Sequence, residues 1–329
     1  MGDSEKKHWV GFDLGATKML AVVFNAKSEA IGEKRRKTKA AEGGESGLDR
    51  IRTTIEQALQ EAHISAGDLA GIGIGTPGPL DLEKGVMLES PNMGWDRMPL
   101  RKTLEKDFGC PVAVMNDVDA GVFGEYRFGA AQGARCVVGV FPGTGIGGGC
   151  VYEGGIIRGK TNSCFEIGHM QVMSDGPLCG CGQRGCLEAV ASRLAIAAAA
   201  AAAAARGEAP NLLKEAGTDL GNIRSSALAK AIAGGDKVVE QIVRDAARWL
   251  GIGIANVVNL MAPDIVVLGG GLVEAMPGIF RDEVRQVARG RVMPAFRDDF
   301  EVVVGKLGDN AAAAGAAAWA RESASAAKG

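Results

Sequence analysis

The sequence predicts a duplicated α/β fold in which two halves enclose a central cleft. Its 329 residues leave room for two domains. Two segments, 9–24 and 136–159, follow the same plan of strand, glycine-rich turn and strand. Helical stretches and short apolar strands follow each of them, so each half is an α/β unit that opens with a β-meander. We expect residues 1–118 to form the smaller domain and 119–307 the larger one, with a C-terminal helix at about 308–329 packing back on the first.

The remaining elements can be assigned in chain order. A further meander strand is predicted near IGEKRRKT, residues 31–38, and buried strands are predicted at 71–78 and 111–117. The alanine run 195–206 predicts a helix, because alanine is the best helix former. Residues 245–263 are typical of a long buried helix that ends at a proline. This helix leads into a strand at the start of DIVVLGGG, residues 264–271.

Composition argues against several classes of partner. Lysine and arginine number 37 against 39 acidic residues, and aromatic residues make up 5%, so no cationic or base-stacking surface is expected for nucleic acid. The polar N-terminus is unlike a signal peptide, and the alanine run is too short to span a membrane. Seven cysteines, an odd number, indicate a reducing compartment. We therefore expect a cytoplasmic protein without nucleic-acid or membrane partners.

Two glycine motifs match well-known phosphate signatures but lack the structural context that those signatures need. Residues 143–148, GTGIGG, fit the dinucleotide fingerprint, and residues 154–161, GGIIRGKT, fit the Walker A pattern. Both signatures require a helix directly after the loop, because the helix N-terminus binds the phosphate. The residues after each match are typical of extended chain, so we reject both interpretations.

Turns between two strands offer another way to bind phosphate. Successive backbone amides form an anion nest there, and glycine allows the chain to turn and approach the anion closely. DLGATK, residues 13–18, and GTGIGGG, residues 143–149, are such turns, although each alone could be an ordinary hairpin. Asp13 suits a magnesium ion or its bound water. The nucleotide contacts predicted here are Asp13, Gly15, Thr17, Lys18, Gly143, Thr144 and Gly145, with Gly269 and Gly270 lying against the base or ribose.

The order of motifs along the chain resembles that of a known family. D-x-G-x-T-K, N-D, G-T-G-I-G-G-G, E-x-G-H and C-x-C-G-x-x-G-C-L-E occur in this sequence in that order. The chain resembles the ROK family of sugar kinases and sugar-responsive repressors, in particular its bacterial glucokinases. The resemblance covers essentially the whole chain and implies the actin-like ATPase (ribonuclease H-like) fold. It also implies Mg-ATP, a hexose in the interdomain cleft, and a homodimer or higher homo-oligomer.

The loop CGCGQRGC, residues 179–186, predicts a metal site. A C-x-C disulfide would be strained, and cytosolic redox pairs are usually C-x-x-C. Zinc needs four ligands, and this loop supplies three thiolates. Of the three histidines, His8 lies in the N-terminal tail and His63 in a charged helical stretch, whereas His169 lies ten residues before Cys179. We predict a closed, structural zinc site whose ligands are His169, Cys179, Cys181 and Cys186. The other cysteines, Cys110, Cys136, Cys150 and Cys164, are expected to be inert core residues.

Such a metal site would also hold groups that suit a sugar. Imidazole bound to zinc through one nitrogen presents the other as a hydrogen-bond donor. Glu166 and Glu188 flank the predicted ligands, and carboxylates accept from pairs of sugar hydroxyls. Family resemblance adds Asn92 as a sugar contact, although it could equally be a turn residue. Ser163, Cys164 and Phe165 replace the small residues that the family usually has here, so they could reshape the pocket near Glu166.

The catalytic base is predicted at the end of a buried strand. Phosphoryl transfer to an alcohol needs a base close to the hydroxyl group. Asp117 is the predicted base and Asn116 a neighbouring hydroxyl contact, and the resemblance gives the same roles. The alternative is that Asp117 caps the following helix. Asp119 stands where the family often has asparagine and is expected to complement the helix dipole.

These residues predict a hexose kinase that transfers phosphate from ATP to the 6-hydroxyl, with glucose favoured by the resemblance. Kinases for fructose, mannose, allose, N-acetylglucosamine or N-acetylmannosamine remain alternatives, and polyphosphate or ADP could use the same amide nests. A nonenzymatic sugar sensor is a further alternative. A sugar-responsive repressor is disfavoured, because the family's repressors carry a helix-turn-helix domain ahead of the first motif, which begins here at Asp13.

Overall fold

The chain forms two compact units in the computed structural model, which describes residues 7–90, 93–160 and 164–326. Unit 1 comprises Met1–Gly133, Gly155–Cys164 and Asp309–Gly329. Unit 2 comprises Ala134–Gly154 and Phe165–Gly308.

Unit 1 is built on a five-stranded sheet in the order β3-β2-β1-β4-β8. The antiparallel β1–β2 hairpin continues into β3, whereas β4 and β8 run parallel to β1. A second, antiparallel sheet is formed by β5, β6 and β7. The strands are β1 (His8–Leu14), β2 (Lys18–Phe24), β3 (Ala30–Lys37), β4 (Leu69–Thr76), β5 (Leu80–Asp81), β6 (Val86–Ser90), β7 (Trp95–Met98) and β8 (Val112–Asn116).

The helices of unit 1 cover its main sheet. They are α1 (Gly44–Glu61), α2 (Leu100–Phe108) and α3 (Asp117–Phe128), together with the C-terminal α11 (Ala311–Ala326). Helix α11 packs on β1, β4 and α3. A Cβ atom at Gly73 would lie 1.8 Å from the carbonyl oxygen of Ala316, so the glycine allows the alanine-rich helix to lie directly on the strand.

Unit 2 repeats the strand order of unit 1. Its sheet contains β9 (Cys136–Pro142), β10 (Ile146–Tyr152), β12 (Ile265–Leu268) and β13 (Glu301–Val304). Strands β9 and β10 form an antiparallel hairpin, β12 is parallel to β9, and β13 is parallel to β12. The order β10-β9-β12-β13 therefore matches β2-β1-β4-β8 in both sequence and direction. A short strand, β11 (Gly155–Ile156), follows β10 in the chain and groups with unit 1.

Helix α8 forms the centre of the helical layer of unit 2. Its buried residues, which include Val239, Val243, Leu250 and Ile254, recur at helical spacing, and it packs against α10. The helix ends where Ala262 adopts a left-handed conformation just before Pro263. The helices of this unit are α4 (Leu187–Ala191), α5 (Arg193–Ala205), α6 (Pro210–Ala216), α7 (Ser225–Ala233), α8 (Lys237–Met261), α9 (Gly271–Ala275) and α10 (Pro277–Arg289).

The observed units differ in extent from the predicted domains. A boundary at residue 118 would cut α3 after its first two residues, whereas the contacts assign the chain to unit 1 as far as Gly133. The segment Gly155–Cys164 also returns to unit 1. A boundary inside a helix cannot be recognised from glycine and strand patterns, because this helix begins directly at the end of β8.

One stretch of the described chain, Leu187–Ala205, is long and apolar enough to be tested as a membrane span. Its backbone is interrupted at Ser192, which is extended (φ −70°, ψ 162°) and caps α5 by accepting from the Ala195 amide. Residues Ile196, Ala200 and Ala203 of α5 are buried within the protein. The stretch thus consists of two short helices, of which α5 is the longer and lies partly in the core.

Candidate active site

The first predicted phosphate turn joins β1 to β2 in unit 1. The Gly15 amide donates to the Lys18 carbonyl (3.0 Å), which closes the turn. The buried Thr38 hydroxyl donates to the Gly15 carbonyl (2.6 Å) and fixes the turn from behind. Thr17 and Lys18 are exposed at the turn, and Asp13 lies on β1 just before it. The hairpin therefore places a carboxylate beside exposed donors.

Asp13 carries the chemistry that a divalent cation requires. Burial and the nearby charge of Asp117 raise the pKa of Asp13 to about 7, although Lys18 and Arg35 lower it. Two carboxylates that disfavour each other's ionisation are stabilised by a cation between or beside them. Oxygen ligands of this kind suit Mg²⁺, so the donor set fits the predicted role of Asp13.

Lys18 is held by a residue that the sequence does not point to. Its ammonium donates to Asp309 (2.6 Å), and Arg35 binds the other carboxylate oxygen of Asp309 (2.5 Å). Asp309 lies 291 residues after Lys18. The predicted phosphate donor Lys18 is therefore an ion-paired side chain at the edge of the turn.

The pair Asn116 and Asp117 lies where β8 ends and α3 begins. Asn116, and not Asp117, is the N-cap: its side-chain oxygen accepts from the amides of Val118 (2.9 Å) and Asp119 (3.1 Å). The capping alternative for Asp117 is thus wrong, because Asp117 is already the first helical residue. Capping occupies the oxygen of Asn116, so its amide group is the part that could donate to a ligand.

The Asp117 carboxylate has the properties of a general base. It accepts a hydrogen bond from the Val118 amide (3.0 Å) and lies partly buried at the end of β8. Burial raises its pKa to about 6, while the backbone amides of Val118 and Asp117 lower it. A base with a pKa just below neutral pH is deprotonated at neutral pH and still basic enough to accept a proton.

Asp119 follows in the first turn of α3, as expected for a residue that complements the helix dipole. It is buried, and burial lowers the pKa of Arg158 while the charge of Asp119 partly opposes this shift.

The second predicted phosphate turn joins β9 to β10 in unit 2. The Gly143 amide donates to the Gly145 carbonyl (2.8 Å), which makes a tight turn, and Thr144 is exposed at its tip. No α-helix follows: β10 begins at Ile146, so the dinucleotide interpretation is rejected as predicted. Glu188 accepts from the Ile146 amide (3.0 Å), and a Cβ at Gly145 would lie 2.4 Å from this carboxylate.

The predicted nucleotide contacts Gly269 and Gly270 lie beside this turn. A Cβ at Gly269 would meet the Phe141 ring at 2.4 Å, and one at Gly270 would lie 3.0 Å from the Pro142 carbonyl. These glycines connect β12 to α9. Gly269 is buried against Phe141, whereas Gly270 is partly exposed, so Gly270 is the one of the two that presents backbone next to the end of β9, where the phosphate turn begins.

The predicted extended chain after residue 163 is instead a compact turn. A 3₁₀ segment covers Ile167–His169, and Phe165 has a left-handed conformation (φ 58°). A Cβ at Gly168 would lie 2.2 Å from the Ile146 carbonyl, so the turn rests directly on β10. Glu166 and His169 are exposed on this turn. A bulky residue with positive φ stores strain, and such strain is typical of functional sites.

The predicted metal ligands come together in unit 2. One ligand atom from each of His169, Cys179, Cys181 and Cys186 lies within 4.8 Å of the others. The Cys179 sulfur is 3.6 Å from His169 Nδ1, and the sulfurs of Cys181 and Cys186 are 3.7 Å apart. Tetrahedral zinc with Zn–S of about 2.3 Å and Zn–N of about 2.0 Å requires an S···N separation of about 3.5 Å and an S···S separation of about 3.8 Å.

These distances and donors fit a structural zinc ion. Burial raises the pKa of the Cys186 thiol to about 12, so a cation is needed to hold it as thiolate. Since Nδ1 of His169 belongs to the cluster, Nε2 is the nitrogen that remains to donate to a ligand. The Glu188 Oε1 atom lies 3.7 Å from the Cys179 sulfur. Glu188 therefore lies between the metal cluster and the second phosphate turn.

The predicted site residues thus fall into two local groups. Unit 1 contains Asp13, Gly15, Thr17, Lys18, Asn116 and Asp117, and unit 2 contains Gly143, Thr144, Gly145, Glu166, His169, Glu188, Gly269 and Gly270. Asn92 lies outside the described residues. The sequence motifs did not point to three further residues of the site, Asp309, Arg35 and Arg193. Asp309 and Arg193 contact the turns from distant positions in the chain.

Two α/β units with one strand order, each with a turn after its first strand, define a protein of the actin-like ATPase fold. A ROK family glucokinase from Streptomyces griseus, solved with glucose and AMPPNP, has a TM-score of 0.83 and 32% identity, covering 96% of this chain and 99% of that chain. The ROK family model matches residues 9–323. The chain therefore belongs to the ROK family.

Relatives in this family include both enzymes and regulators. The glucokinase of Thermotoga maritima is 34% identical over 95% of this chain and 97% of its own length. A putative xylose repressor of Caldicellulosiruptor sp. is 33% identical over 94% of this chain and 77% of its own length.

Proposed function

We propose that this protein is an ATP-dependent hexose kinase that phosphorylates glucose at the 6-hydroxyl. The single observation that carries the proposal is Asp117, a carboxylate at the end of β8 whose pKa burial raises to about 6. Phosphoryl transfer to an alcohol requires a base of this kind. Similarity to glucokinases of the same family supports glucose as the acceptor.

In the proposed reaction, Asp117 accepts the proton of the sugar 6-hydroxyl. The freed oxygen forms a bond to the γ-phosphorus of ATP as the bond to the β,γ-bridging oxygen breaks, and ADP leaves. Amides of the turns after β1 and β9, together with Thr17 and Thr144, hold the phosphates. A magnesium ion at Asp13 would neutralise charge on the phosphate oxygens.

The sugar is proposed to be held by Asn92, Asn116, Glu166, His169 and Glu188. His169 would donate through Nε2 while its Nδ1 is a ligand of structural zinc. One oxygen of Glu188 already accepts from the Ile146 amide, so its other lone pairs would accept from sugar hydroxyls. We further propose a cytoplasmic location and a homodimer or higher homo-oligomer.

The test is initial rates for purified protein with a panel of sugars, with ATP, ADP and polyphosphate compared as donors. We expect ATP-dependent formation of glucose 6-phosphate. Preference for fructose, mannose, allose or an N-acetylhexosamine would keep the kinase and change the acceptor. Binding of sugar without turnover of any donor would contradict the proposal.

That last outcome would favour a second function, a sugar-responsive regulator. Its support is the 33% identity with a putative xylose repressor over 94% of this chain. The same sugar panel, read by calorimetry instead of turnover, would then identify the sugar that is sensed.

A further inference from the structure

An arginine that no predicted motif includes contacts the second phosphate turn. Arg193 Nη2 donates to the Thr144 hydroxyl (2.9 Å), and the Arg193 amide donates to the Gly143 carbonyl (2.8 Å). The side chain and the backbone of one residue therefore both attach to the turn after β9.

The positive charge of Arg193 is unfavourable at its position in helix α5. Arg193 is the first residue of α5, directly after the N-cap Ser192, and the first turn of α5 contains no acidic residue. The helix dipole places partial positive charge at this end, so a cation there is destabilising. An alanine-rich helix of 13 residues does not need an arginine in order to form.

The charge of Arg193 also lacks a partner within the described parts of the chain. No carboxylate lies within ion-pair distance of its guanidinium there, and Thr144 is its only side-chain acceptor. Glu188, whose carboxylate contacts the turn, accepts from the Ile146 amide. The hydrogen bond to Thr144 leaves most of the guanidinium donors without a protein acceptor in the described residues, and residues that break a local rule are often found at functional positions.

From these observations we infer that Arg193 binds the terminal phosphates of the nucleotide at the Gly143–Gly145 turn, which makes it an additional catalytic residue. This inference rests on the proposed kinase function for the identity of the anion. A hydroxyl has one hydrogen and two lone pairs, and Arg193 occupies one lone pair of Thr144. The Thr144 hydrogen therefore remains available to a phosphate oxygen, next to further donors of the guanidinium. Guanidinium is well suited to phosphate because its donors are planar and always charged.

The experiment compares Arg193→Gln and Arg193→Lys with wild type. Calorimetry gives the affinity for ATP without sugar, and steady-state rates are measured with ATP and sugar varied separately. We expect Arg193→Gln to lower kcat/KM for ATP by about 10- to 100-fold, the range for a charge-assisted hydrogen bond, and to leave KM for sugar unchanged. Arg193→Lys should retain part of the activity, because it keeps the charge but loses the planar donor pair. The melting temperature of Arg193→Gln should stay equal or rise, since an unfavourable charge leaves the helix terminus.

The matched control is Arg206→Gln at the opposite end of α5, where the guanidinium pairs with Glu208. It should resemble wild type in both ATP parameters. The inference is overturned if Arg193→Gln keeps kcat/KM for ATP within twofold, or if ATP and sugar parameters fall together with the melting temperature. If wild type phosphorylates no hexose but binds ATP through Arg193, the proposed function fails and the inference stands. Absence of ATP binding to wild type would overturn the inference as well.

Discussion

The hairpin turns of the two units share their topology and differ in their electrostatics. The turn after β1 has Asp13 beside it, and its nearest cations, Lys18 and Arg35, are bound by Asp309. The turn after β9 has no acidic residue of its own, and Arg193 contacts its tip. The two hairpins therefore share their backbone topology and differ in the charges around them. The first turn combines its backbone amides with a carboxylate suited to a cation, and the second combines its backbone amides with the guanidinium of Arg193.

The supports of the two turns differ as well. In unit 1, the site is held by hydrogen bonds of the buried Thr38 and at the start of α3, and by the ion pairs of Asp309. In unit 2, Glu188 connects the turn to the cluster of His169 and three cysteines. We therefore expect the folding stability of unit 2, and not that of unit 1, to depend on a bound metal ion.

The largest expected effect is that of Cys181→Ser. This variant should lose its bound zinc and much of its sugar affinity. Its free energy of unfolding should also fall, by up to about 10 kcal/mol, because structural zinc stabilises a fold by that order. Metal analysis, sugar calorimetry and thermal unfolding measure the three quantities. Cys110→Ala is the control, because Cys110 lies in the core of unit 1 and outside the cluster. Sugar affinity that survives metal loss would refute the role of the cluster as a support for the sugar-binding residues.

The second effect concerns the base in unit 1. Asp117→Ala should lower turnover by about 10²- to 10⁴-fold, the usual contribution of general acid–base catalysis, while sugar affinity is retained. Steady-state kinetics and sugar calorimetry separate the two. Asp96→Ala, an exposed aspartate of β7, should behave as wild type. Near-normal turnover of Asp117→Ala would remove Asp117 from the mechanism.

The pH dependence of the reaction rate should follow the ionisation of Asp117. Only the deprotonated Asp117 can accept a proton, and its pKa is about 6. Thus kcat/KM for sugar should be level above that pH and fall about tenfold per unit below it. The residual rate of Asp117→Asn should lack this descending limb. If wild type and this variant show the same acid limb, another group controls the rate.

The smallest effect is a gain in stability. Because the pKa of Asp117 rises from 3.8 to about 6 on folding, the native state binds more protons between these values, and stability decreases as pH rises through them. Asp117→Asn should therefore stabilise the protein by up to about 3 kcal/mol at pH 7 and by almost nothing at pH 3. Denaturant unfolding at both values measures this. Equal stability at pH 7 would show that burial of Asp117 costs little.

The sequence could predict those parts of the site in which the functional residues lie close together in the chain, within one short motif. Both glycine turns, Asp117 and the metal ligands belong to short motifs, and the apolar segments around them predict the strands that carry them. The 3₁₀ turn at Ile167–His169 was missed, since the packing of Gly168 against the Ile146 carbonyl decides its conformation. Secondary-structure propensity of the local sequence cannot predict such a tertiary contact.

Contacts between distant positions had no signal in the sequence. Lys18 and Asp309 are 291 residues apart, and Thr144 and Arg193 are 49 apart. Each of these residues is ordinary in its own neighbourhood, apart from the arginine at the start of α5. Asn116 was assigned to the sugar without its capping role, because asparagine and aspartate are both good N-caps and only the backbone distinguishes them.

Asp309 has a consequence for how the protein is made. The residues of the first turn leave the ribosome early, yet the carboxylate that anchors Lys18 and Arg35 lies in the segment that also begins α11. During synthesis, the nascent chain must carry an incomplete first unit, in which Lys18 and Arg35 lack Asp309 and the sheet face under α11 is uncovered, until that late segment emerges.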